Sequence, residues 1–117
     1  MKSIANGLVA LVAVLHLAFL VLEMFLWTKP FGRRTFGLTK ELAEATKGLA
    51  ANQGLYNGFL AAGLIWGLVT GAFEVKVFFL VCVIVAGVFG AATAKRSILF
   101  VQALPGALAL AAMIAAR

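Results

Sequence analysis

Positive charge is missing from four long stretches of this chain: residues 3–28, 48–73, 77–94 and 97–116 contain no Lys or Arg. At about 1.5 Å per residue even the shortest reaches about 27 Å, close to the roughly 30 Å hydrocarbon core of a bilayer. Backbone groups in lipid must be satisfied within their own segment or in a closed barrel, and blocks of about twenty residues do not match the roughly ten-residue strands of a barrel. The expected fold is therefore all-α, a polytopic membrane protein with four transmembrane helices in an antiparallel bundle. It forms one domain over residues 1–117, with a basic loop at about 29–47. Composition agrees: 64% of residues are hydrophobic and 12% charged, against about 45–50% and 25% in a soluble domain. The net charge of +6 sits on a chain too apolar for a nucleic-acid module, so membrane lipids are its expected counter-charge and no nucleic-acid partner is expected.

Four crossings put both termini on one side. Lys29, Arg33, Arg34, Lys40, Lys47, Lys95 and Arg96 then share the other side, against Lys2, Lys76 and Arg117 with the termini. That excess places the loops near 29–47 and 93–97 in the cytoplasm and both termini outside. The first helix is expected to be retained rather than cleaved as a signal peptide. Its apolar part exceeds the usual h-region of roughly 7–15 residues, it contains His16 and Glu23, and no small-residue cleavage pattern precedes Trp27. Pro30 and Gly32 break the helix after Trp27, an interfacial anchor, and Thr39 is placed to cap a new one with Glu41 and Glu44 near its positive end.

Ionisable groups inside a span are costly and ask for a reason. His16 and Glu23, seven residues apart on the first helix, face the same way about 10 Å from one another along the axis. On the second helix Asn52, Gln53, Tyr56 and Asn57 form one stripe, continued by Gly63, Gly67 and Gly71. Counting inward from the basic loops puts Glu23, the amide stripe and Gln102 at similar depth, with His16 nearer the midplane. The expectation is one polar pocket of Glu23, Asn52, Gln53, Tyr56, Asn57 and Gln102 with His16 at its floor. No Lys or Arg within the spans neutralises Glu23, and burial favours the uncharged form of both ionisable groups, leaving them neutral or poised to exchange a proton.

The remaining features read as packing. Pro105 removes a backbone donor and leaves the carbonyl of Val101 without its usual partner. Gly54 and Gly58 make a small-x-x-x-small pair opposite the amide stripe, which favours a homodimer. Cys82 is core filler, and one cysteine with one histidine gives no metal site, no haem ligation and no redox centre; no cofactor is expected.

At Leu15-His16, at Glu23-Met24-Phe25-Leu26-Trp27 and again over Asn52-Gln53-Gly54-Leu55-Tyr56-Asn57-Gly58, the chain resembles a bacterial family of small integral membrane proteins classed as a domain of unknown function. The resemblance covers nearly the whole chain and implies a four-helix inner-membrane protein, without implying an activity. Three functions remain open. One is binding or transport of a small amphipathic ligand, proton-linked through Glu23. A second is acid/base catalysis on a lipophilic substrate by Glu23 or His16. The third is a structural or partner subunit whose polar cluster only fixes helix packing.

Overall fold

A computed structural model describes residues 1–117. Five α-helices follow one another: α1 (Lys2–Met24), α2 (Pro30–Phe36), α3 (Lys40–Thr70), α4 (Phe73–Thr93) and α5 (Leu104–Ala115), the last preceded by a wider π-helical turn at Leu99–Ala103. There are no strands. Helices α1 and α4 are long and apolar enough to cross a membrane. Their outward side chains are apolar too; on α4, Phe78, Val81, Val85, Val88 and Phe89 are all exposed, the reverse of a helix that faces water on one side.

The region 29–47 is not a loop. Pro30 occupies the first turn of α2, where its missing N–H costs nothing and its fixed φ suits the helix. Gly37, at φ +66°, then ends α2 in the left-handed region; its N–H meets the Arg34 carbonyl while the N–H of Leu38 meets that of Arg33. Thr39 Oγ1 accepts the N–H of Leu42 at 3.1 Å and so caps α3, which runs on from Lys40 without a break. The second apolar stretch is thus the later part of a helix of 31 residues. Likewise Lys76, expected in a connection between apolar stretches, lies in the first turns of α4 and is buried. The turn between α3 and α4 has closed earlier, at Gly71 with φ +71°.

The chain divides into two compact units, one of residues 1–14 and 60–117, the other of residues 15–59. In the first, Ala5, Val9, Val12 and Ala13 of α1, Leu64 of α3, Leu80 and Val83 of α4, and Ala109 and Met113 of α5 form the buried core. Spacings of three and four residues put these side chains on one face of each helix. Gly87 sits where α4 meets the π turn: a Cβ there would lie 2.7 Å from the backbone nitrogen of Ala103. That π turn has a local cause. Proline at 105 would clash with the carbonyl four residues back in an α-helix, and the chain responds by widening, so that the N–H of Leu104 bonds to Leu99, five residues earlier. The second unit contains the end of α1, all of α2 and the first half of α3. It buries Gly32, Ala43, Ala50 and Gly54 with two polar residues, His16 and Asn57.

Candidate functional site

Glu23 lies in the last turn of α1, and the amide of Asn57 on α3 donates from Nδ2 to its Oε1 at 2.5 Å. The sequence makes this approach feasible through Gly54, one turn before Asn57. A Cβ at Gly54 would fall 2.6 Å from Met24 Cγ and 3.1 Å from Glu23 Cβ, so any larger residue would push the helices apart. Gly58 continues the contact, with a notional Cβ 2.7 Å from Leu20 Cδ1. The two glycines expected to recruit a second copy are therefore occupied within the chain, bringing α3 against the end of α1.

The expected chamber is only partly assembled. Glu23 and Asn57 are joined, and His16, two turns earlier on α1, is fully buried with its ring edge-on to Phe19 at 5.1 Å. Asn52, Gln53 and Tyr56 are not drawn in; all three are exposed, with Tyr56 tilted against Phe59 at 6.2 Å. Gln102 lies half-buried in the π turn of the other unit. The reason is azimuthal. At roughly 100° per residue, the face centred on Ala50, Gly54 and Asn57 is turned by about 100° from the middle of the amide stripe, and only Asn57 lies on the edge common to both. Helix α3 meets α1 through its smallest residues, because backbones approach closest there, and most of the amides are left on the outer side.

Beside Glu23 a cleft of about 290 Å³ opens, lined by Glu23, Met24, Phe25, Trp27, Lys47 and Gly48 among others. Its walls are fixed by Trp27, whose Nε1 donates to Thr46 Oγ1 at 3.0 Å while its ring packs on Phe36 at 4.9 Å. Thr46 in turn donates back to the carbonyl of Leu42 at 2.7 Å. Lys47 stands at the opening, paired with Glu44 at 3.2 Å. Trp27 and Lys47 were absent from the sequence-derived site. The signal was the indole, read only as an interfacial anchor, and Thr46, which falls one α-helical turn before Ala50 on the contact face of α3. The cleft can bring a carboxyl group, an aromatic wall and an ammonium to one small molecule. No three His, Cys, Asp or Glu side chains come together in an arrangement that holds a metal ion.

A second polar contact was missed altogether. Lys76 of α4 is buried, and its Nζ donates to Asn6 Oδ1 of α1 at 3.0 Å. The spacing does allow it. Lys76, Leu80, Val83 and Gly87 are the buried positions of α4, so Lys76 begins the same stripe as the core residues.

Residues 10–114 match a family described as "Protein of unknown function (DUF1304)", and the chain belongs to that family. It is similar to the protein named "Uncharacterized protein YpaA" of Lactococcus lactis subsp. lactis (strain IL1403), 30% identical over 108 residues that cover 89% of this chain and 88% of the relative. No solved structure matches.

Proposed function

We propose that this member of the DUF1304 family is a multi-pass protein of the bacterial inner membrane that binds or transports a small amphipathic ligand at Glu23, with proton exchange at its carboxyl group. In this reading the chain crosses the bilayer four times with both termini outside. The observation that carries it is that Glu23, held at one oxygen by Asn57, also lines a cleft with Phe25 and Trp27. A carboxyl group beside an aromatic wall suits a ligand with a polar or cationic head and an apolar body. Asn57 orients the carboxyl group, and Trp27, anchored by Thr46, supplies the apolar contact. His16 lies on the same helix as the innermost polar group and is a candidate relay for the proton.

The same Glu23–Asn57 bond also favours the simpler reading, in which the pair only holds helices together. Glu23→Gln separates the two. Its side-chain oxygen still accepts from Asn57, so melting of the purified protein stays close to that of the parent under both readings. Calorimetric titration with tetraphenylphosphonium, repeated in buffers of different ionisation heat, is expected to show binding coupled to proton release in the parent and neither in Glu23→Gln. Equal binding with equal proton release by parent and variant overturns the ligand reading.

A further inference from the structure

The unit of residues 1–14 and 60–117 has a cleft of its own, about 370 Å³ in volume, lined by Lys2, Asn6, Phe73, Glu74, Lys76 and Arg117 among others. Its inner charge is unusual. Lys76 retains only 6% of its exposure, yet its Nζ meets an amide oxygen, that of Asn6, rather than a carboxylate; the chain's one ion pair joins Lys47 to Glu44. An ammonium withdrawn from water is costly unless an anion offsets the loss. Arg117 Cζ lies over the ring of Phe73, 4.5 Å from its centroid, a cation–π contact that holds the guanidinium at the wall of the cleft. Helix α4 begins at the same wall, and Ala72 before it offers no side-chain cap. The first N–H groups of α4 therefore have no intrahelical acceptor at the end where a helix favours negative charge. Glu74 bears the one acidic side chain in the lining, against the three cationic side chains of Lys2, Lys76 and Arg117.

We infer that this cleft is a binding site for a phosphate-bearing anion, with Lys76 as its buried counter-charge, Arg117 as a forked donor and Lys2 at the mouth. A phospholipid headgroup and a soluble phosphate compound present the same chemistry, and the cleft has room for the phosphate with a small substituent against Phe73. The site shares no lining residue with the Glu23 cleft, so either reading stands or falls alone.

The test uses the full chain in phosphatidylcholine nanodiscs, with two probes: phosphatidylglycerol introduced into the discs, and inorganic phosphate added to the buffer. Binding is followed by phosphorus NMR and by native mass spectrometry of retained lipid. Saturable binding of phosphatidylglycerol alone identifies the headgroup as the source, and binding of inorganic phosphate identifies the soluble one. With either probe, Arg117→Gln and Lys2→Gln, both at exposed positions, are expected to weaken binding, Arg117→Gln by about ten-fold. Glu74→Gln strengthens it, and Lys95→Gln, outside the cleft, leaves it unchanged. Lys76→Met abolishes binding; because it alters a buried group, Arg117→Gln decides the matter if that variant does not fold. Failure of both probes to bind, or equal binding by the parent, Arg117→Gln and Lys2→Gln, overturns the inference.

Discussion

The two compact units bury different kinds of residue. Residues 1–14 and 60–117 enclose Val9, Val12, Leu64, Leu80, Val83 and Met113, whereas residues 15–59 enclose no apolar side chain larger than alanine. In place of an apolar core the second unit has a buried imidazole, the Asn57–Glu23 bond, the Trp27–Thr46 bond and the close approach permitted by Gly54. In the bilayer proposed for this chain, apolar burial contributes little to helix association, and tight packing with interhelical hydrogen bonds contributes more. The unit with the Glu23 cleft is therefore the one whose shape depends on a few specific groups, while the other depends on complementary volumes.

Opposite substitutions should break the two units. Leu80→Ala empties a fully buried site and is expected to cost about 2–5 kcal/mol in unfolding from detergent micelles; a loss near zero would dissolve the contrast. Gly54→Leu adds volume where even a Cβ finds Met24 Cγ at 2.6 Å, and should cost about 1–3 kcal/mol by the same measurement. Asn57→Leu removes the donor to Glu23 and should cost about 1 kcal/mol. Crosslinking between cysteines placed on α1 and α3 would show whether the helices also separate. The smallest effect belongs to Trp27→Phe, which keeps an aromatic wall but loses the bond to Thr46; about 0.6 kcal/mol is expected, and a larger loss would mean that the indole packing on Phe36 matters more than the bond.

Helical class was legible because the stretches free of Lys and Arg are too long for strands, and the start of α3 because Thr39 marks it by simple backbone chemistry; Gly71, read as part of a helical stripe, instead turns the chain at φ +71°. The basic region was harder. Thr39 pointed to the helix start found at Lys40, but residues 29–38 read as a break followed by a loop, whereas α2 carries Arg33 and Arg34 on a helix. Within the site, the Glu23–Asn57 pair followed from matching depth along two helices. The error in placing Asn52, Gln53 and Tyr56 lay in rotation: periodicity groups residues on one face but does not say which face meets the neighbour, and here the glycines chose it. Lys76 was misplaced because a lysine near the end of an apolar stretch was assumed to mark the water boundary, whereas its spacing to Leu80 and Val83 already aligned it with the buried stripe.

Helix α3 has a further consequence. Its 31 residues make a rod about 46 Å long, half as long again as a hydrocarbon layer of about 30 Å, so if α3 is one of the proposed crossings, one end must project from the layer at ordinary tilts. The projecting end expected from the charges is the one bearing Lys40, Glu41, Glu44 and Lys47, and the cleft beside Glu23 lies at its foot. Bilayer thickness would then work as a waterline: a thicker sheet immerses that foot in oil, a thinner one leaves it wet, and the same carboxyl group would answer to the lipid composition around it.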